Sequence, residues 1–238
     1  TGRISGFVFD GIFNTGAYAS WGPTVANRVP IHASGPYATK DYRANSVAVH
    51  TNAPPAGAFR GFGVPQSAVA QECAFDLLAE KLGMDRLAFR RLNALKNGVP
   101  TVTGQVFNSG VGIDDCFAAL EDNWHAANAS ATSFNQIAIR DDSPWRKGVG
   151  IASCWYGCGN TSLPNPSTMR MGITADGRII LHQGAMDIGQ GANTVITQIA
   201  ADALGVPVHD VHILGGDTDL TPDCGKTSAS RQTFVSGK

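Results

Sequence analysis

The sequence lacks an excess of charge of either sign. Its 238 residues include 18 Lys and Arg and 19 Asp and Glu, so the formal net charge is −1. This balance excludes a basic nucleic-acid groove as the dominant feature of the protein, because such grooves concentrate Lys and Arg. Charged residues make up only 16% of the chain and hydrophobic residues 43%, a composition that can bury a sizeable core.

Long hydrophobic runs are also missing, since no stretch approaches the ~18 apolar residues that span a bilayer. We therefore expect neither a membrane nor a nucleic acid among the partners. The five cysteines form an odd, scattered set, which favours free thiols in a reducing cytoplasm over a disulfide scaffold. The chain opens inside a strand pattern and stops where a helix begins, and this predicts a piece of a larger polypeptide.

The residue patterns predict an α+β fold in which mixed β-sheets have helices packed on them. Apolar spacing predicts four helices, and alternation with an Asp-Gly turn predicts a hairpin in the second half. Polar residues near position 143 suggest a boundary between a first region, 1–140, and a second, 145–238. The predicted helices are 65–82, 85–95, 114–125 and 189–204; the predicted strands are 3–18, 46–50, 148–156, 168–174, 178–183 and 211–214; 20–44 is predicted to be a loop with short strands.

Glycine is abundant: it supplies 28 of the 238 residues, well above the average share of about 7%. Three turns of small residues, at 58–63, 187–191 and 225–230, each precede a predicted helix. Backbone N–H groups at such turns can bind a phosphate or a similar anion. Three of them in one chain favour a polyanionic cofactor, although each could also be only a structural turn.

Direct ligation of a metal by side chains is not expected. Cys154 and Cys158 lack a histidine pair at ligand spacing, and His209 and His212 lie around the start of a strand. We interpret all four as unligated thiols and surface imidazoles. A serine nucleophile is not expected either, because the sequence contains no G-x-S-x-G motif.

The segment Thr51–Gln66, which contains the string AFRGFG-x-PQ, closely resembles the molybdopterin-binding subunit of the xanthine dehydrogenase and aldehyde oxidase family. The helix that follows it and ends in Arg91-Leu92-Asn93 is similar too. Gly189-Gln190-Gly191 resembles the second cofactor motif of that family, and Thr227–Ser230 its third. The resemblance spans nearly the whole chain, with the motifs in the family's order.

This resemblance implies part of a molybdenum hydroxylase that oxidises an aldehyde or an N-heterocycle with oxygen from water. It implies molybdopterin, in the cytosine dinucleotide form, as the cofactor. The partners implied are the remainder of the large subunit, an iron–sulfur subunit and an FAD subunit that carry the electrons away, and a small-molecule substrate. The protein's part in such chemistry is to bind, orient and polarise.

The resemblance also implies site residues. Phe62 would form an aromatic wall for the substrate, and the other matched positions would bind the cofactor. The alternatives stay open: the two phenylalanines as core residues, Arg60 as a surface ion pair, and Gln190 as a helix-start side chain. The implied cofactor-binding residues are Phe59, Arg60, Gly61, Gly189, Gln190, Gly191, Thr227, Ser228, Ala229 and Ser230.

Two departures from the family pattern bear on activity. The Gly-Glu element that supplies the catalytic base is absent, so no catalytic residue is expected in this chain, and Asp187 is expected to cap a turn. The second aromatic wall of xanthine enzymes falls on Gly159, which leaves Trp155 or Tyr156 as the substitute. A non-catalytic cofactor-binding or assembly fragment is therefore the alternative function, and an unrelated α+β protein is a second rival. Without cofactor, loops 57–63, 157–166 and 215–227 are expected to be mobile.

Overall fold

A computed structural model describes residues 1–159 and 164–238. The chain divides into two compact units, Thr1–Tyr156 and Gly157–Lys238, and each is described by itself. The division falls after the boundary that the sequence suggested at 140–145. The expectation of a mobile loop at 157–166 lies partly outside the described residues, because 160–163 are not among them.

The first unit opens with two parallel strands joined by a helix. Strand β1 (Gly6–Gly16) pairs with β2 (Asp41–His50), with Gly6 opposite Asp41, and α1 (Gly22–His32) connects them. The sequence-based expectation of a loop with short strands over 20–44 was wrong for 22–32, which form α1. Prolines suggested irregular structure there, but Pro23 lies in the first turn of α1, where no N–H bond is required.

Pro30 lies inside α1 and is tolerated because of a contact from β2. A proline in a helix leaves the carbonyl four residues earlier without its donor. That carbonyl belongs to Ala26, and it accepts a hydrogen bond of 2.7 Å from the hydroxyl of Ser46. The missing backbone donor is thus replaced by a side chain that is distant in sequence, which no local pattern could have indicated.

Three further helices complete the first unit: α2 (Val64–Lys81), α3 (Arg86–Asn93) and α4 (Ile113–Arg140). The first two agree with the sequence-based prediction, but α4 runs 15 residues beyond the predicted end at 125. Its buried residues recur every seventh position, and in the second half they are only alanines, so the apolar signal fades. They are Phe117, Trp124, Ala131 and Ala138. The predicted strand 148–156 is not part of any sheet in the described chain.

The second unit is a three-stranded mixed sheet with one main helix. Strand β3 (Arg170–Ile173) is antiparallel to β4 (Ile179–Gln183), which confirms the predicted hairpin. Strand β5 (Val211–Gly215) is parallel to β4, and α5 (Ala192–Leu204) makes the crossover between them. A 3₁₀ turn at Val208–Asp210 and a short helix α6 (Gln232–Val235) complete this unit.

Each unit has a hydrophobic core of its own. Together with the parallel sheet of the first unit and the mixed sheet of the second, these cores confirm the predicted α+β class. No helix within 1–159 or 164–238 is long and apolar enough to cross a bilayer. The first core contains Tyr37, Phe75, Ala79, Leu87, Phe89, Ala94, Phe117 and Trp124; the second contains Leu181, Ala185, Ala192, Ile196, Ala201, Val211 and Cys224.

Candidate functional site

The first small-residue turn holds an aromatic residue in a strained conformation. Phe62 has φ +49°, between Gly61 at +93° and Gly63 at +88°. A bulky residue in the left-handed region is a genuine outlier, and such strain clusters at functional sites. Gly63 is required because a Cβ there would lie 2.6 Å from Cγ2 of Val29 on α1.

Two side chains of this turn are exposed to solvent. Phe59 is 83% exposed, and Arg60 is exposed as well. The ring of Phe62 meets that of Trp21 edge-on at 6.2 Å. The alternative interpretation of Phe59 as a core residue is therefore wrong, while the cofactor and substrate roles of these residues stay predictions.

The other two candidate wall residues, Trp155 and Tyr156, rest on α1. The indole N–H of Trp155 donates to the carbonyl of His32 at 3.1 Å, and the ring of Tyr156 stacks on His32 at 5.6 Å. The guanidinium of Arg28 lies 4.4 Å from the centroid of the Tyr156 ring. Burial lowers the pKa of His32, so a neutral imidazole supports both aromatics. Helix α1, which the sequence did not predict, thus contacts Trp155 and Tyr156 and also lies against Gly63 of the first turn.

A buried carboxylate fixes the backbone just before these aromatics. One oxygen of Glu72 accepts the N–H of Ser153 at 3.1 Å and the hydroxyl of Tyr37 at 2.8 Å. Burial, and next the nearby Glu72 charge, raise the pKa of Tyr37, so the phenol remains a donor. The extended segment 149–156 is therefore held by hydrogen bonds rather than by a sheet.

The charge of Glu72 is balanced by Arg90, which is fully buried on α3. Arg90 Nε donates to the second carboxylate oxygen at 2.7 Å, and Nη2 lies 2.6 Å from the same atom. Arg90 Nη1 lies 2.8 Å from Asp76. Burial alone would lower the pKa of Arg90, but Glu72 and the other acceptors outweigh it and raise that pKa. The charge of Arg90 is therefore paired with carboxylates of the same unit.

The second small-residue turn, 187–191, is also closed on itself. Asp187 accepts hydrogen bonds from the backbone N–H groups of Gly189 at 2.8 Å, Asn193 at 3.0 Å and Gly191 at 3.3 Å. These bonds, with Asn193 first, lower the pKa of Asp187. The expected capping role of Asp187 is thus confirmed, and the donors at the start of α5 face a carboxylate instead of being open to an external anion.

Gln190 folds back onto the same turn. Its amide oxygen accepts the N–H of Ile188 at 2.6 Å, and its amide nitrogen donates to the carbonyl of Met186 at 2.9 Å. This geometry matches the alternative of a helix-start side chain. To reach a cofactor, the Gln190 amide would have to exchange these two bonds for new ones, and it is exposed enough to do so.

The third turn joins the second within the same unit. The hydroxyl of Thr227 accepts the N–H of Met186 at 2.9 Å, so the third turn contacts the residue directly before the second turn. Ala229 and Ser230 have φ of +57° and +52°, two consecutive left-handed residues without glycine. Strain of this kind again marks a candidate functional site.

Residues just after the unit boundary hold the far end of this turn. The N–H of Gly159 donates to the carbonyl of Ala229 at 2.8 Å, and the thiol of Cys158 contacts the carbonyl of Ser230 at 3.0 Å. Gly159 has φ +91°, a backbone conformation that glycine adopts without strain. It supports the third turn instead of forming a wall.

The donor set of the second unit fits an anionic group. No cluster of three or more His, Cys, Asp or Glu that could hold a metal ion occurs in the described parts of the chain. Arg231, directly after the third turn, is 1% exposed, and its Nε has no hydrogen-bond partner among the described residues. A buried cation beside a strained turn fits a phosphate-bearing cofactor, and sequence patterns gave no signal for it.

Comparisons with known proteins point to the same chemistry. Models of the molybdopterin cofactor-binding domain match residues 1–94 and 119–238. The xanthine dehydrogenase molybdenum-binding subunit of Escherichia coli is 35% identical over 98% of this chain, and the match covers 31% of that subunit. The nicotinate dehydrogenase large molybdopterin subunit of Eubacterium barkeri is 45% identical over 47% of this chain and 26% of its own length.

A solved structure extends the likeness to the fold. The crystal structure of the aldehyde oxidoreductase from Desulfovibrio desulfuricans superposes with a TM-score of 0.87 at 28% identity, over 99% of this chain and 26% of that one. The chain therefore spans less than a third of the E. coli subunit and of this enzyme.

Proposed function

The chain belongs to the xanthine dehydrogenase and aldehyde oxidase family of molybdopterin-binding proteins, and we propose that it forms part of a molybdenum hydroxylase acting on an aldehyde or an N-heterocycle. The observation that carries this proposal is the contact of Thr227 with Met186, the residue directly before the second turn, beside a buried arginine that has no carboxylate partner among the described residues. When bound, the cofactor supplies the two-electron oxidation and the insertion of oxygen from water.

In this proposal, the residues of this chain bind the cofactor and orient the substrate. In the first unit, Phe59, Arg60 and Gly61 are proposed cofactor contacts, and Phe62, Trp155 and Tyr156 are proposed aromatic walls for the substrate. In the second unit, we propose that the backbone and hydroxyl groups of Thr227–Ser230 bind the cofactor, with Gly189–Gly191 as the second contact. The support is the resemblance together with the strained backbone at Phe62 and at Ala229–Ser230.

The wider assignment is also a proposal. The pterin is taken in its cytosine dinucleotide form, with iron–sulfur and FAD subunits as electron acceptors and the rest of the large subunit as the covalent neighbour. A cytoplasmic location is proposed because four of the five cysteines are exposed free thiols, which a reducing compartment would preserve.

Element and nucleotide analysis tests the cofactor assignment. The natively purified complex that contains this chain is expected to hold molybdenum and a pterin nucleotide. The variant Gln190→Ala should lower molybdenum content or turnover while the fold stays intact, since a hydrogen bond to a charged group contributes about 1.5–3 kcal/mol. Gln198→Ala, an exposed glutamine on α5, the helix that follows this turn, is the matched control. Full molybdenum content and full activity in the Gln190 variant would contradict the assignment.

The second candidate function is a non-catalytic cofactor-binding or assembly fragment. It is favoured by the state of Asp187, whose lowered pKa and three backbone donors make it a poor proton acceptor. We propose that the base lies outside this chain. Dye-linked oxidation of aldehydes and N-heterocycles should then fail with the lone chain and succeed with the complete complex. Turnover by the lone chain that Asp187→Asn abolishes would show that the base is Asp187.

A further inference from the structure

Arg231 is a buried cation whose partners among the described residues are neutral backbone carbonyls. Its Nη1 donates to the carbonyls of Cys224 at 2.8 Å and Lys226 at 3.0 Å, and Nη2 donates to the carbonyl of Pro166. Within the described residues it forms no ion pair, and its Nε has no acceptor. Buried charges are normally paired, because an uncompensated one is costly. The pattern indicates that Arg231 serves something other than the stability of the unit alone.

Gln232 binds the same backbone from the next position. Its amide nitrogen lies 3.2 Å from the carbonyl of Cys224, 3.4 Å from that of Gly225 and 3.1 Å from that of Lys226. The hydroxyl of Ser236 donates to the amide oxygen of Gln232, which directs the nitrogen towards the carbonyls. Two adjacent side chains thus gather three consecutive carbonyl groups.

This arrangement fixes the direction of the N–H groups that belong to the same peptide units as these carbonyls. The peptide bonds are trans, so each N–H points away from the carbonyl of the same peptide unit. Because the carbonyls of residues 224–226 point towards Arg231 and Gln232, the N–H groups of residues 225–227 point away from them. Gly225 is required here, since a Cβ would lie 2.7 Å from Nη1 of Arg231.

One of these three donors already binds an oxyanion. The N–H of Gly225 donates to a carboxylate oxygen of the exposed Asp223 at 2.7 Å. Consecutive backbone N–H groups that point to one side form anion-binding concavities in proteins. The row of donors at 225–227 leads directly into the Thr227–Ser230 turn.

We propose that Arg231 and Gln232 are positioning residues that hold the N–H groups of Gly225 and Thr227 towards a phosphate or pyrophosphate group, which would take the place of the Asp223 carboxylate, while Arg231 supplies the buried counter-charge. The proposal rests on the proposed cofactor role of Thr227–Ser230 and adds the residues that prepare this turn for a phosphate. It explains why a charged side chain is buried at a place where the described residues of the unit offer it only carbonyls.

Titration of the 238-residue chain with inorganic pyrophosphate tests this at constant ionic strength. Calorimetry gives the affinity, and amide NMR shifts of residues 225–227 give the place of binding. Arg231→Lys keeps the charge but cannot span the carbonyls of Cys224 and Pro166, so we expect at least tenfold weaker binding. Gln232→Met keeps every charge and should weaken binding several-fold. Arg178→Lys, an exposed arginine of the same unit, is the matched control and should bind like wild type.

The outcomes separate positioning from charge and from folding. Equal affinity of wild type and Arg231→Lys would overturn the proposal, and so would a wild-type chain whose 225–227 amides do not shift. If Arg231→Lys fails to fold, Gln232→Met with an unchanged unfolding midpoint decides alone, and wild-type affinity there contradicts the proposal. If pyrophosphate does not bind as expected but the native complex contains molybdenum, only the roles of Arg231 and Gln232 are contradicted and the proposed function is retained. If the native complex contains no molybdenum, the proposed function itself is contradicted, whatever the pyrophosphate titration shows.

Discussion

The two units each bury one arginine completely, but they surround it differently. Arg90 in the first unit is 0% exposed and contacts the carboxylates of Glu72 and Asp76. Arg231 in the second unit is 1% exposed and binds only backbone carbonyls among the described residues. A buried ion pair is satisfied without any ligand, whereas a buried cation among neutral dipoles is stabilised further by an added anion.

This difference separates support from binding. The Arg90–Glu72 pair ties together α2, α3 and the segment before Trp155, so its role is to hold candidate wall residues in place. Arg231 adjoins the strained turn that matches a cofactor motif, so its role is to favour a bound anion. Helix α5 illustrates a third arrangement, in which Asp187 already supplies the negative charge.

The largest effect is expected from Glu72→Ala. It leaves Tyr37 and the N–H of Ser153 without this acceptor in a buried site, and it removes one of the two carboxylates that face the buried Arg90. Removing one partner of a buried pair destabilises by about 3–5 kcal/mol. Urea unfolding of the chain measures the loss, with Glu80→Ala on the exposed side of the same helix as control. Equal stability of the two variants would show that the network is not structural.

A smaller effect is expected from Arg231→Met without ligand. No carboxylate is stranded, and Gln232 still binds the carbonyls of Cys224 and Lys226. The loss should be close to that of one unsatisfied buried carbonyl, about 1–3 kcal/mol. Unfolding of this variant beside Arg90→Met compares the two arginines directly. If Arg231→Met loses as much stability as Arg90→Met, the two arginines do not differ in the way described here.

The smallest effect is expected from Asp187→Asn, which weakens the cap of α5. The lowered pKa of Asp187 means that its contribution is present above the ordinary Asp pKa and is lost as pH falls through the folded value. Amide exchange at Gly189, Gly191 and Asn193 should be several-fold faster in the variant at neutral pH. After correction for intrinsic rates, wild type should approach the variant in acid. Identical exchange at both pH values would contradict the capping role.

The sequence predicted what depends on local pattern. The apolar spacing of α2 and the Asp-Gly turn between β3 and β4 were found correctly because their signals are short-range. Helix α1 was missed because Ser46, on another element, supplies the donor that Pro30 lacks. The second half of α4 was missed because its buried positions, Ala131 and Ala138, carry little apolar signal.

The candidate site was predictable only as a set of motifs. The sequence shows the three motifs directly, namely AFRGFG, Gly189–Gly191 and Thr227–Ser230. It does not show which distant residues hold each motif in place. Glu72 could have been suspected, since it shares a helical face with Phe75 and Ala79. Arg231 could not, because its burial follows from carbonyl directions that a sequence does not display.

Hydrogen exchange of the wild-type chain with and without inorganic pyrophosphate tests the central contrast most directly. Binding to the folded state slows exchange where the anion contacts the backbone or stabilises it. We expect added protection across residues 223–232 and unchanged exchange around Glu72 and Arg90. Protection confined to the first unit, or no protection in the second, would contradict the assignment of the anion site to Arg231.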